Sequence, residues 1–466
     1  MTVLLAALVA LVVASTTAAA VAQPAVAAAF DAGIADVGWI VFGYSASFAV
    51  FTVVYAQLGP RFGIGRCLVV GIGFLSVGGL VAALAPTLEI VVLGRILSGV
   101  GAGAIPTLTI AAVAEHLSGP ARIRAIAMNA AGVGVGNVAG PLVGGLLLEL
   151  EGWRAPLAFG VVAAPAAIAV WRMIPGSGDR SVSIDRIGLA CIAAIGAGIV
   201  LVLNRVPVSG VTPVVLVGLA AAAGGLVVLR RWVASTRSTM IPPALAADGF
   251  LRMVVIAGAL TMVGFLGALV VLPPAMARAH HLNGIALGLV LVPMAITVAS
   301  VSLSSRRLVP SGAPRATLIA AATIGFALIV DAVIGAGAPP IAHAGAYAIM
   351  GAGFGLLQAP LITALATRYE GALRSLAIGL FNVIFFLGGA AGGAIGSAIL
   401  GAGLDLGMQW LADPVVPGFR AAMLVLAMGP LIVAISLAIR IARGPGLVTA
   451  PVAVPAGTGQ AQMGGH

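Results

Sequence analysis

The chain has 466 residues, of which 61% are hydrophobic and only 8% are charged. No soluble domain of this length is so apolar, so the composition predicts an integral membrane protein. The net charge of +10 comes from arginines scattered over short segments, without the basic face that a nucleic-acid partner requires. Composition therefore excludes a soluble fold and predicts no nucleic-acid partner.

The reactive side chains give no sign of an enzyme. All 23 basic residues are arginines, so the chain cannot contain the lysine of a G-x-x-x-x-G-K-[ST] phosphate loop, and ATP-driven transport by this chain alone is excluded. The two cysteines, Cys67 and Cys191, lie in or beside apolar runs without metal-ligand spacing. We expect no cofactor, no metal site and no disulfide framework.

Apolar runs of roughly 20 residues, the length that crosses a bilayer, recur along the chain. The fourteen runs lie at about 3–22, 35–57, 66–85, 88–113, 125–149, 156–174, 187–205, 211–230, 251–274, 284–304, 314–334, 341–363, 376–403 and 419–441. The first run ends in small residues like those of a signal-peptidase site, but no basic residue precedes it, so we expect it to be retained. The sequence predicts an all-helical membrane protein with about fourteen transmembrane helices.

The distribution of arginine predicts the orientation. If the amino terminus is cytoplasmic, eighteen arginines lie in cytoplasmic segments, four lie outside, and Arg95 lies within the membrane. We therefore expect both termini to be cytoplasmic. Exclusive use of arginine with abundant Ala, Gly and Val is typical of a high-GC bacterial genome, which predicts a multi-pass protein of the plasma membrane.

An internal repeat divides the predicted helices. The glycine-rich fifth span is echoed by the thirteenth, and the turn after the second span is echoed after the tenth. Two six-helix halves, residues 1–174 and 251–442, with an inserted helix pair at 187–230, account for both echoes. Such halves, rocking about a midplane site, are the architecture of many secondary transporters. The tail at 443–466, rich in Pro, Gly and Ala, is predicted to be disordered and cytoplasmic.

The stretch from Asn129 to Leu148 carries the most specific motif. Its glycines recur at every fourth residue and share one helix face, which leaves a groove for close approach of another helix. A proline beside the groove removes a backbone donor and favours a kink. The pattern resembles G-x-x-x-G-P-x-x-G-G, the antiporter motif of major facilitator superfamily exporters, and predicts a pivot between moving helices, although packing alone also explains the glycines. The residues that match the motif are Gly136, Gly140, Pro141, Gly144 and Gly145, and Gly132 extends the four-residue spacing of glycines.

Other segments resemble the 14-helix drug:proton antiporter branch of that superfamily over nearly the whole chain. Residues 39–44 open the second span as in that branch, residues 93–101 resemble its second motif, and residues 152–154 resemble its W-R signature. The inserted helix pair favours the 14-helix branch over the 12-helix one. The resemblance implies the major facilitator fold and exchange of a small-molecule substrate for protons.

Two departures from the family pattern bear on proton coupling. The turn after the second span resembles the family loop G-x-L-A-D-R-x-G-R-R through Leu58, Arg61 and Gly63, but Pro60 stands where the Asp belongs. We expect the charge network that latches the cytoplasmic gate in that family to be weaker here or built otherwise. In the first span Ser15 replaces the family's Asp, so antiport would depend on other carboxylates.

Two charged residues inside apolar runs are candidates for proton coupling. Arg95 is costly at membrane depth unless it is paired or hydrated, so it should face a cavity or the bundle interior. The resemblance implies a part in proton transfer, and pairing with helix ends is the structural alternative. Asp331 is the carboxylate placed well inside an apolar run and is suited to carry a proton, unless the eleventh span leaves the membrane at that level.

Intramembrane amides are candidates for substrate contact, or else for hydrogen bonds between helices. They are Asn129, Asn137, Gln358 and Asn382. The first functional hypothesis is export of small amphipathic or apolar compounds, cationic or neutral, by a monomer in the bilayer. One alternative is a metabolite uptake carrier or facilitator, which the exporter motif disfavours. The other is a non-transporting sensor or assembly protein, which the missing acids favour and which Arg95 and the glycine-proline motif oppose.

Overall fold

The computed structural model describes residues 1–174, 176, 178–180, 184–209, 212–235, 245, 247–282, 284–308, 313–369, 371–404 and 412–442. Its helices, numbered in chain order, are α1 Thr2–Phe30, α2 Ile34–Val37, α3 Trp39–Phe62, α4 Ile64–Ala83, α5 Leu88–Ala102, α6 Ala104–His116, α7 Gly119–Glu151, α8 Arg154–Ala158, α9 Ala164–Met173, α10 Arg186–Ser209, α11 Pro213–Ala234, α12 Gly249–His280, α13 Gly284–Leu308, α14 Ala313–Ile334, α15 Pro340–Gly355, α16 Gln358–Arg368, α17 Gly371–Ala402 and α18 Phe419–Ala442. A short 3-10 helix, Phe159–Ala163, joins α8 to α9.

Over the described residues the helices form fourteen crossings, because α5 with α6, α8 with α9, and α15 with α16 each make one, and α2 only precedes α3. Twelve crossings are long and apolar enough to span a bilayer, and α7 and α10 complete the set. The predicted all-helical membrane fold, two six-helix halves with an inserted pair, is confirmed. Because the number of crossings is even, the first and last helices of the bundle begin and end on the same face of the membrane. We call this face the terminal face and the other one the opposite face. The tail at 443–466 lies outside the described residues.

Three predicted spans are interrupted, which their apolar patterns did not indicate. Each break lies just before a proline: Pro106 near the start of α6, Pro165 near the start of α9 and Pro360 near the start of α16. A proline in the first turn of a helix costs no hydrogen bond, whereas inside a helix its ring clashes with the preceding turn. The chain therefore starts a new helix at each of these positions.

Each half is built around a glycine seam, a line where glycines of one helix let another helix approach closely. In the first half α7 lies on α1, and a Cβ added at Gly144 would be 2.6 Å from the Cα of Ala18. In the second half α17 lies on α12, and a Cβ added at Gly267 would be 2.8 Å from the carbonyl oxygen of Gly392. The two halves therefore repeat the same pairing, as the sequence echo predicts.

The halves meet along two further helix pairs. Between α3 and α17 the rings of Phe48 and Phe386 are in edge contact, with centroids 4.5 Å apart. Between α7 and α13 the carbonyl oxygen of Pro141 lies 2.5 Å from where a Cβ on Gly288 would be. Thus α7 packs on its own half through its glycine face and on the other half through another face.

The inserted pair, α10 and α11, covers the contact between α3 and α17. Ile192 of α10 packs with Val53 of α3 and Val383 of α17 in one apolar cluster. At the terminal face the pair is held to the first half, because the backbone N–H of Asp185 donates to Oε1 of Gln57 at 2.8 Å. Trp232 at the end of α11 donates its indole N–H to the Asp185 carboxylate at 2.9 Å.

Candidate functional site

Arg95 lies in α5 in the interior of the first half and is completely buried. Its Nε donates a hydrogen bond of 3.3 Å to the carbonyl oxygen of Ile40, and its guanidinium carbon lies 4.3 Å from the centre of the Tyr44 ring. Its two terminal NH₂ groups have no hydrogen-bond partner in the described part of the chain. Removing a guanidinium from water costs several kcal/mol, and a desolvated cation–π contact returns only about 2 kcal/mol. Arg95 is therefore a buried positive charge with incomplete compensation.

Tyr44 connects Arg95 to the boundary between the halves. Its hydroxyl donates to the carbonyl oxygen of Val12 in α1 at 3.3 Å, and the Thr16 hydroxyl donates to the same oxygen at 3.2 Å. Thr16 in turn lines a cavity between the two halves. The cavity is formed by Thr16, Thr17, Ala20 and Val41 of the first half and Leu266, Leu269, Val270 and Leu291 of the second. Arg95 thus contacts two residues, Ile40 and Tyr44, that adjoin the cavity-lining residues Val41 and Thr16.

The inter-half cavity is small and nearly apolar. Its volume is about 10 Å³, roughly the space for a single water molecule. A drug-sized ligand needs at least about 300 Å³. The helices that line it, α1, α3, α12 and α13, contain no Asp or Glu. A ligand can occupy this position only if the halves move apart.

The predicted motif of α7 forms the seam on α1. Cβ atoms added at Gly132, Gly136, Gly140 and Gly144 would overlap atoms of α1. The α1 residues that they would meet are Ala6, Ala10, Val13, Ala14, Thr17 and Ala18. Gly145 is also buried, and Pro141 lies on the side of α7 that meets α13. Small residues on both helices allow backbone contact, which is the main source of helix association in lipid. The motif therefore places the α1 and α7 pair directly against the other half.

Asp331 of α14 is buried and pairs with His343 of α15, a residue that the sequence reasoning missed. The His343 Nδ1 lies 2.7 Å from Asp331 Oδ1, and the two side chains are 0% and 1% exposed. The edge of the Phe419 ring packs against the imidazole. The remaining polar atoms, Asp331 Oδ2 and His343 Nε2, have no hydrogen-bond partner among the described residues. Two titratable groups share one short hydrogen bond here, so the pair can bind or release a proton.

The position of His343 did carry a usable signal. Asp331 lies three residues before the end of α14, and His343 lies three residues after the start of α15. Two helices joined by a short turn run antiparallel, so residues equally far from the turn lie side by side. A histidine that matches an intramembrane carboxylate in this way is a candidate partner.

The turn that contains Pro60 and Arg61 is held by the linker before the inserted pair. The backbone N–H of Asp179 donates to the carbonyl oxygen of Pro60 at 2.9 Å, and Gly178 packs on the backbone of Arg61. The Arg61 guanidinium carbon lies 5.8 Å from the centre of the Phe62 ring. Two backbone contacts with the linker therefore hold this turn at Pro60, which stands where the resembling family has a carboxylate. A latch function of these contacts stays a prediction.

The four predicted amides are distributed over both halves. Asn129 is buried, and its side chain donates to the Thr109 hydroxyl at 3.3 Å. Gln358 is half-buried at the start of α16, and Asn382 is buried in α17. The side chain of Asn137 lies outside the described residues. The three described amides are not among the residues that line the inter-half cavity.

A second polar cluster lies at the terminal face of the second half. Asp248 caps α12 and accepts hydrogen bonds from the Tyr369 hydroxyl at 2.5 Å and from Arg368 Nε at 3.1 Å. Partial burial acts to raise the pKa of Asp248, but the hydrogen bonds from Tyr369 and Arg368 outweigh it and hold the pKa below its ordinary value. The cluster ties the start of α12 to the corner between α16 and α17.

Comparison with known proteins agrees with this architecture. The drug efflux pump JefA of Mycobacterium tuberculosis is 29% identical over 412 residues, which cover 85% of this chain and 80% of that protein. The methylenomycin A resistance protein of Bacillus subtilis is 25% identical over 264 residues, which cover 56% of this chain and 57% of that protein. A crystal structure of an auto-inhibited POT family peptide transporter has a TM-score of 0.69 at 15% identity, covering 97% of this chain and 99% of that one. At this identity the similarity supports a shared fold and nothing about function. The model of the Major Facilitator Superfamily matches residues 3–393, so the chain belongs to this superfamily of membrane transporters and is not an enzyme.

Proposed function

We propose that the chain is a secondary active exporter of small amphipathic or apolar compounds, of the 14-helix drug:proton antiporter type and driven by inward proton flow. The observation that carries the proposal is the position of α7, whose glycine face is interlocked with α1 while Pro141 contacts Gly288 of the other half. The similarity to a drug efflux pump supports the direction of transport. In this proposal the terminal face is cytoplasmic, the membrane is the plasma membrane, and the protein acts as a monomer.

Alternating access follows from the two kinds of helix contact. The seams leave no room for side chains, so α1 with α7 and α12 with α17 move as rigid pairs, and residues 1–174 and 251–442 act as the two moving bodies. The contact of Phe48 with Phe386 is a side-chain contact between these bodies and can slide. Rocking about such contacts opens the inter-half cavity to one face at a time. The pair at 187–230 shields the α3 and α17 contact from lipid.

Proton coupling and gating are assigned to the buried groups Asp331, His343 and Arg95 and to the half-buried Arg61. The Asp331–His343 pair lies near the end of α14 that reaches the opposite face, which is extracellular in this proposal and is the face from which protons enter. Arg95 acts beside the cavity, and Arg61 acts in the turn held by the linker at the cytoplasmic face. The amides Asn129, Asn137, Gln358 and Asn382 are candidates for substrate contact once the halves separate.

A facilitator without proton coupling is the second candidate. It is favoured by Ser15, which stands where the resembling family has a carboxylate and which is buried in α1. A facilitator equilibrates its substrate across the membrane and cannot accumulate it against a gradient. The two candidates therefore differ in one measurable quantity, the final concentration ratio.

The test uses the purified full chain in liposomes and three dansyl amphiphiles that differ in charge: dansyl-glycine, dansyl-glycinamide and dansyl-cadaverine. With an inside-acid pH gradient, an antiporter accumulates at least one probe above the level in protein-free liposomes, and nigericin abolishes this. Asp331→Asn should remove the accumulation, while Glu151→Gln, which changes an exposed carboxylate at the opposite face, should retain it. Equilibration without accumulation would identify a facilitator. No movement of any probe above the protein-free rate would refute export of this compound class.

A further inference from the structure

We infer that the compounds this protein moves carry a carboxylate or a similar compact anionic group, which pairs with Arg95 when the halves separate. The inference rests on the proposed transport function and narrows its substrate class. It differs from the sequence-based expectation of cationic or neutral substrates, because the charged group nearest to the lining residues through its contacts with Ile40 and Tyr44 is an arginine.

The first argument is the balance of charge around the cavity. Two other partly buried arginines of the described chain pair with carboxylates, Arg368 with Asp248 and Arg420 with Asp413. Arg95 has no such partner there, and its two NH₂ groups make no hydrogen bond. The four helices around the cavity contain no Asp or Glu. A cationic ligand would therefore meet no counter-charge in this place and would be repelled by Arg95.

The second argument is the geometry of the free donors. Because Nε is occupied by the carbonyl oxygen of Ile40, the terminal NH₂ groups are the side of the guanidinium left for a ligand. A planar guanidinium matches the two oxygens of a carboxylate, and such charge-assisted pairs are among the strongest hydrogen bonds in proteins. An intramembrane arginine that lacks a partner within its own chain is a functional site by default.

The third argument is the path from Arg95 to the cavity. Tyr44 covers the guanidinium, and its hydroxyl donates to the carbonyl oxygen of Val12, which also accepts a hydrogen bond from Thr16. Rotation of Tyr44 away from α1 would open Arg95 toward the cavity wall that Thr16 forms. The facing wall comes from the second half and consists of Leu266, Leu269, Val270 and Leu291. The site thus offers a positive charge to the head of a ligand and an apolar wall to its body.

The experiment compares initial rates for the three dansyl probes in the same liposomes. We expect the wild type to move the anion dansyl-glycine about tenfold faster than dansyl-glycinamide or dansyl-cadaverine, since one charge-assisted pair is worth about one factor of ten. Arg95→Gln should lower the dansyl-glycine rate about tenfold. Arg440→Gln, which removes an exposed arginine at the end of α18, is the matched control and should leave the rate unchanged.

A second variant tests the same charge without altering Arg95. Thr16→Asp places a carboxylate beside the Tyr44 hydroxyl, where it supplies Arg95 with a fixed counter-charge, and Thr16→Asn gives the reference rate for the same size without charge. The dansyl-glycine rate of Thr16→Asp should be about tenfold below that of Thr16→Asn. Dansyl-glycine should also raise the unfolding temperature of the purified wild type and not that of Arg95→Gln.

The outcomes separate this inference from the proposed function. Transport that is as fast or faster for the neutral or cationic probe overturns the anionic substrate class and leaves the exporter proposal standing. An unchanged preference for the anion in Arg95→Gln, or equal rates in Thr16→Asp and Thr16→Asn, overturns the assignment to Arg95. Failure of the wild type to move any probe above the protein-free rate overturns the proposed function, and the inference with it.

Discussion

The seam between α7 and α1 makes a quantitative prediction for Gly144→Ala. The added Cβ would lie 2.6 Å from the Cα of Ala18 and 2.8 Å from its Cβ, whereas carbon atoms in contact are about 3.5–4.0 Å apart. The two helices must therefore separate locally by about 1 Å. Overpacking of this kind costs about 1–3 kcal/mol, which exceeds the gain of at most about 1 kcal/mol that alanine brings to a helix.

The matched control is Gly345→Ala in α15. A Cβ at Gly345 has nothing within 4 Å, so only the gain in helix propensity remains and stability should stay equal or rise. The assay is thermal unfolding of the purified variants in the same detergent. An unfolding temperature of Gly144→Ala at or above that of the wild type would refute the reasoning from close approach.

The same variant distinguishes a pivot from a packing element. If the seam only holds α1 and α7 together, Gly144→Ala protein that remains folded should transport dansyl-glycine at the wild-type rate per folded molecule. If the seam is part of the moving machinery, the rate should fall by more than the loss of folded protein explains. Transport and folded fraction must therefore be measured on one preparation.

Three other predictions follow from the buried and exposed polar groups. Asp331→Asn and His343→Gln should each destabilise the protein by about 3–5 kcal/mol, because each leaves a buried partner uncompensated. In a double-mutant cycle the double variant should lose less stability than the sum of the two single variants. Additive losses would contradict the pairing. The pKa of Asp248 is lower in the folded chain than its ordinary value, so its stabilising contribution is present above about pH 4 and is lost as the pH falls through the folded pKa. Unfolding temperatures measured from pH 6 to about pH 3 should therefore fall less steeply for Asp248→Asn than for the wild type, and parallel curves would exclude a contribution from Asp248. For the proposed orientation, a cysteine introduced at Glu151 should react with an impermeant maleimide in intact cells, and one at Ser235 should react only after permeabilisation. The native Cys67 and Cys191 are buried and should give a low background. The reverse labelling pattern would show that the topology is inverted.

Much of the fold was readable from the sequence because the properties concerned are local. Transfer of an apolar run into lipid depends on the run itself, and a helix satisfies its own backbone hydrogen bonds, so the crossings follow from hydropathy. The four-residue spacing of glycines in α7 likewise places them on one face whatever surrounds the helix. The breaks before Pro106, Pro165 and Pro360 were missed, although proline is a local signal, because the apolar runs continue across them.

The tertiary structure decided what each polar residue meets. Helices that are apolar all round carry little periodic signal about which side faces lipid, another helix or a cavity, so the sequence left open whether Arg95 and Asp331 were paired. The structure places Asp331 against His343 and leaves the terminal donors of Arg95 without partners in the described chain. It also places the backbone of the linker over Pro60, a contact between segments more than a hundred residues apart in sequence. The sequence alone determined that this chain spans a membrane many times and carries an exporter-type glycine motif. The tertiary structure decided which charges remain unpaired near the cavity, because pairing depends on how each helix is rotated and on which helices lie next to it in the assembled bundle.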